Sequence, residues 1–169
     1  MLLGANPKSE KSERMNNKTD EVDILSMMNS KCYYEAFQLL NNLDPKDIVV
    51  HYNSALCYYH TELFEEALTC LSQIDISQLK LKMMTARTVS THSLMFSNQS
   101  NLFENFLNPI SRKYLEEYPG LVNDAILRLR VKIYLLLGRW SEVLRLSNLI
   151  KNARYADLTA ALEFAESKI

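Results

Sequence analysis

The residues of this chain that could do chemistry are few, and their spacing limits what they can do. Cys57 and His60 stand three apart on one apolar run and could touch as a nucleophile and its base. A working pair also needs an orienting group and donors for an oxyanion, so the plainer reading is two helix-packing residues. Glu65-Glu66 and Glu116-Glu117 are adjacent acids. Neighbours on a helix point about 100° apart, so neither pair can act jointly as acid and base, and both read as solvated faces. Cys32, Cys57 and Cys70 form no CxxC pair, and His51, His60 and His92 have no partner at a ligand spacing. Small buried thiols in a reducing compartment are the expectation. No phosphate-loop, dinucleotide, nucleophile-elbow or HExxH pattern occurs, and three glycines cannot build a phosphate cradle. These residues point to no catalytic centre, no metal and no cofactor, hence not to an enzyme.

The most basic stretch holds Arg128, Arg130 and Lys132, with Arg139 and Arg145 beyond. Only Arg128 and Lys132 share a helix face at i,i+4. A solvated face, an anchor for an acidic partner peptide and an RNA contact are the three readings. Over the whole chain 19 Lys and Arg balance 20 Asp and Glu, which argues against nucleic-acid and anionic-membrane surfaces. Partners are therefore sought among proteins.

The elements that position these residues follow from composition and periodicity. The chain has 169 residues, about one domain, and 47% are hydrophobic, enough for a core. Three glycines leave little for the tight turns of strand architectures, so the fold class is all-α. Residues 1–18 are polar and charged and are expected to be disordered. Met1-Leu2-Leu3-Gly4 turns polar too soon for a signal peptide, and no run approaches the roughly 18 apolar residues of a membrane span. A cytoplasmic protein without membrane contact is expected.

From residue 19 the chain reads as consecutive amphipathic helices, about 20–30, 32–43, 48–61, 63–74 and 79–97. Asp44-Pro45 ends the second, and Asp47 is a candidate N-cap for the third. Residues 97–101 are a polar break, and a sixth helix begins near Leu102. Asn108-Pro109 interrupts it, with 109–118 either kinked on or separate. Pro119-Gly120 reads as a stop before helices at 121–137, ended by Gly138, 140–151 and 153–167.

One pattern recurs: a small or apolar residue, a large one three on, an aromatic six further, and a small or β-branched one three beyond. It runs Ala55, Tyr58, Phe64, Ala67; then Val131, Tyr134, Trp140, Val143; and Ile24, Met27, Tyr33, Ala36. Such spacing suits antiparallel helix hairpins. Small residues let the backbones approach, and aromatics beside the turn fill the wedge between one hairpin and the next.

At these residues the sequence resembles the tetratricopeptide repeat family. In the best unit, 48–75, Ala55, Tyr58, Phe64, Ala67, Leu71 and Ile74 occupy family-like positions. His51, Ser54 and Glu62 depart from it, Glu62 standing where the turn glycine is usual. The 127–150 unit keeps that glycine as Gly138, with Trp140 after it, and departs at Val131 and Val143. The first unit matches through Tyr33, Glu35-Ala36, Leu40, Leu43 and Pro45. The unit over 79–118 fits poorly, with Phe106 where alanine is expected. The resemblance implies a right-handed superhelical stack of hairpins at 20–43, 48–75, 79–118 and 121–151, closed by a capping helix at 153–167.

The resemblance also implies a concave groove that takes a partner's peptide or helix. Carried over, Tyr52, Leu56, Tyr59 and His60 line it from the best unit, Arg128, Lys132 and Leu135 from the 127–150 unit, and Leu25 and Met28 from the first. Thr91 and Met95 are the middle unit's contribution. The alternative for each is burial under the neighbouring hairpin. The expected function is a non-catalytic interaction scaffold or adaptor. A secretion chaperone of tetratricopeptide type and a self-assembling structural subunit are the competing readings, the stripe of Leu158, Leu162 and Ala165 either capping the last hairpin, which is the default, or joining a second copy.

Overall fold

A computed structural model describes residues 20–85, 105–150 and 155–169. These are helical with no strand among them. Helix α1 covers 20–29, followed by α2 (Tyr33–Leu40), α3 (Ile48–His60), α4 (Phe64–Ser72) and α5 (Ile76–Thr85). A 3-10 turn, Asn105–Leu107, precedes α6 (Arg112–Glu117), α7 (Pro119–Leu136), α8 (Trp140–Ser147) and α9 (Ala156–Glu166). The expected disordered segment, the 97–101 break, the helix start near Leu102, and Thr91 and Met95 lie outside the described residues.

Side-chain caps set three of the helix starts. Asp47 does cap α3, its Oδ1 accepting from the Val49 N–H at 2.9 Å. Helix α5 begins at Ile76 rather than 79. The Asp75 carboxylate accepts from the N–H of Ser77 at 2.9 Å and from its hydroxyl at 2.6 Å, which pulls the start forward. Of the 79–118 unit, residues 79–85 belong to α5 and 112–117 to α6, and the described stretch 105–111 is not α-helical. After the 3-10 turn, residues 108–111 have no regular structure, and Ser111 opens α6 by accepting from the Tyr114 N–H at 3.0 Å. Pro119-Gly120 does separate two helices, but it is also the first turn of α7. A proline at the first helical position gives up only an N–H that has no intrahelical partner.

The recurring sequence pattern has a recurring geometry. Lys31, Glu62 and Gly138 have φ of 62°, 62° and 68°, the left-handed region. The residue after each is alike as well: Cys32 (φ −83°, ψ 64°), Leu63 (−88°, 70°) and Arg139 (−91°, 67°). The N–H of each of these three reaches back to the carbonyl of Met27, Tyr58 or Tyr134, every time at 2.9 Å. This is the Schellman closure, which satisfies the carbonyls at a helix end. All six small or branched positions, Ile24, Ala36, Ala55, Ala67, Val131 and Val143, are buried between paired helices. Two of the three aromatics reach the next element, while Phe64 meets Tyr59 of its own hairpin. Tyr33 stacks on His60 of the next hairpin at 4.3 Å and 9°, and Trp140 meets Phe164 of α9 edge-on at 5.6 Å.

Helices α2, α3 and α4 pack in succession, and α4 and α5 lie against α7. Helix α7 is the shared wall. Val122, Ile126, Leu129 and Ile133 join the larger core with α3 and α4. Leu127 and Val131 join a second core with Val143 of α8 and Leu158, Ala161 and Ala165 of α9. Arg139 beside the α7–α8 turn pairs with Glu65 of α4 at 2.5 Å, and Arg130 donates to the Leu71 carbonyl at the end of α4 at 2.7 Å.

The turns make a stability prediction. Lys31→Gly and Glu62→Gly remove a Cβ from a left-handed residue and should each stabilise by about 0.5–1 kcal/mol. Gly138→Ala should cost about 1 kcal/mol. Denaturant midpoints measure all three, and a loss on Glu62→Gly would contradict the shared turn.

Candidate functional site

The face of α3 that points toward α7 is occupied by the chain itself. Asn53 is 1% exposed in an otherwise apolar run. Its Nδ2 donates to the Ile110 carbonyl at 2.9 Å, and its Oδ1 accepts from the Ile110 N–H at 3.0 Å. One carboxamide thus satisfies both polar groups of a residue that belongs to no helix. One residue earlier, the Tyr52 hydroxyl donates to the Phe106 carbonyl. Phe106 and Ile110 are buried, while Asn105 and Asn108 are exposed. The segment is therefore held by two apolar anchors and by its main chain.

Its far end is held by charge. Arg112 reaches Asp47 with Nε at 2.7 Å and Glu21 with Nη1 at 3.0 Å, and its backbone N–H donates to Glu21 at 2.7 Å. Asp47 caps α3 with one oxygen and pairs with Arg112 through the other. These half-buried, charge-assisted bonds tie α1, α3 and α6 together.

On the α7 side, Arg128 is 4% exposed and lies between two rings, 4.6 Å from the centre of Phe106 and 4.2 Å from that of Tyr155. It makes a two-bond pair with Asp157 of α9 at 3.0 and 2.7 Å. The Tyr155 hydroxyl donates to Asp124 at 2.9 Å. Between Phe106, Ile110, Tyr114, Leu121, Arg128 and Tyr155 a cleft of about 250 Å³ remains open beside the segment.

The expected groove residues divide accordingly. Met28, Tyr52, Leu56 and Arg128 are buried, a correction to the expectation that they line an open surface. Met28 and Leu56 belong to the larger core, Tyr52 is sealed by the 105–111 segment, and Arg128 is committed to Asp157 and two rings. Leu25 is half-buried. Tyr59 and His60 are half-buried in an aromatic row with Tyr33 and Phe64, which joins the first two hairpins. Lys132 and Leu135 border a second groove, of about 380 Å³, between α7 and α9. There they meet Leu136 and Phe164, exposed by 52% and 49%, with Ala160 between them.

The readings missed Asn53, Ile110, Arg112 and Phe164. A polar residue on the buried face of an apolar helix was the available signal for Asn53. Phe106, out of place for a hairpin alanine, was the signal for the segment. Among the described residues, no three His, Cys, Asp or Glu side chains converge as a metal site would require, and no helix is long and apolar enough to cross a membrane. No family model, curated protein or solved structure matches this chain.

Two measurements probe this site. Asn53→Ala leaves the N–H and C=O of Ile110 buried without partners and should cost about 2 kcal/mol or more in denaturant unfolding. Burial raises the Asp124 carboxyl above the ordinary carboxylate value, against the opposing pull of the Tyr155 hydroxyl, Asn123 and Arg128. The fold then binds that proton more tightly than the unfolded chain does. Its contribution to stability is present in acid and is lost as pH rises through the folded value. Asp124→Asn keeps an acceptor for Tyr155 and carries no charge. Its Tm relative to wild type should therefore climb as pH rises above about 4, the ordinary carboxylate value. A flat or falling difference would reject the assignment.

Proposed function

We propose that this chain is a non-catalytic interaction module, a scaffold or adaptor of the tetratricopeptide type, that receives the apolar face of a partner protein's helix in the groove between α7 and α9. The observation that carries the reading is the groove itself. Leu135 and Leu136 of α7 and Ala160, Ala161 and Phe164 of α9 line it, together with Lys132 and the Arg128–Asp157 pair. An apolar groove between two helices suits a third helix laid in it. Exposed large apolar side chains clustered in one place mark contact surfaces rather than ordinary solvent-facing positions. Lys132 would choose orientation by attracting an acid on the partner, which affects on-rate and register more than affinity.

The repeat reading is supported by the three matching turns and by the six buried hairpin positions, which suit a right-handed stack of hairpins with α9 as its cap. The non-catalytic reading is supported by the state of Cys57. Burial, with Cys70 nearby, pushes its thiol up to about 12, the wrong direction for a nucleophile, and its helix neighbour His60 stacks on Tyr33. We place the protein in the cytoplasm on the strength of its three free cysteines.

A second copy of the chain is the competing occupant. Leu136→Asp with Phe164→Asp charges both walls without touching buried positions. Affinity purification with mass spectrometry from the native cell should lose a partner that wild type retains, while the circular dichroism stays unchanged. Equal recovery by the folded double variant rejects the groove. A wild-type dimer that the double variant converts to monomer, read by light scattering, assigns the groove to self-assembly.

A further inference from the structure

We draw no further inference here: the strongest candidate, the cleft of about 250 Å³ between the 105–111 segment, α7 and Tyr155, has its buried polar side chains bonded within the chain (Arg128 to Asp157, Tyr52 to the Phe106 carbonyl, Tyr155 to Asp124), and nothing in the structure shows what would fill it.

Discussion

The double hydrogen bond between the Asn53 carboxamide and the backbone of Ile110 is the contact on which the arrangement of the larger core turns. A helix such as α3, apolar around most of its circumference, has to be covered on more than one side. Neighbouring helices α2 and α4 cover two sides. The third is covered by a stretch of chain whose own N–H and C=O groups would otherwise be stranded away from water. Asn53 removes that penalty at Ile110 and Tyr52 removes it at Phe106, which is why an irregular segment can lie where a helix would be expected.

Helix α7 transmits the same constraint to the C-terminal half. It faces the larger core on one side and the α8–α9 core on the other. Arg128 stands at the junction. A guanidinium can be buried there because it has a planar carboxylate partner in Asp157 and lies over the faces of two aromatic rings. Phe106 and Tyr155 are thereby linked through one side chain, and with them the internal segment and the start of the last helix. Between α7 and α9, Leu136 and Phe164 remain uncovered beside one groove, as single apolar side chains such as Tyr34 and Met84 do elsewhere.

Much of the fold was legible in the sequence because it follows from local rules. Low glycine content and helical periodicity lead to the all-α class, Asp47 leads to a cap, and the spacing of Tyr33, Phe64 and Trp140 leads to three hairpins with equivalent turns. Glu62 already stood out as occupying a glycine's place, and its φ of 62° is the physical counterpart. The site was much less legible. Tyr52, Leu56, Met28 and Arg128 lie at positions that the family resemblance assigns to a groove, but a position along a helix does not say what lies against it.

By itself, then, the sequence determined the all-α class, the Asp47 cap, the three hairpin turns and the small or branched residues buried beside them. All of these depend on interactions a few residues apart or between adjoining helices. The tertiary structure alone decided that residues 105–112 would cross α3, that Arg112 would find Glu21 and Asp47, and that Arg128 would be consumed by Asp157. Those contacts join parts of the chain that no local propensity links. They form because buried polar groups must find partners, and only the assembled fold determines which partners are within reach.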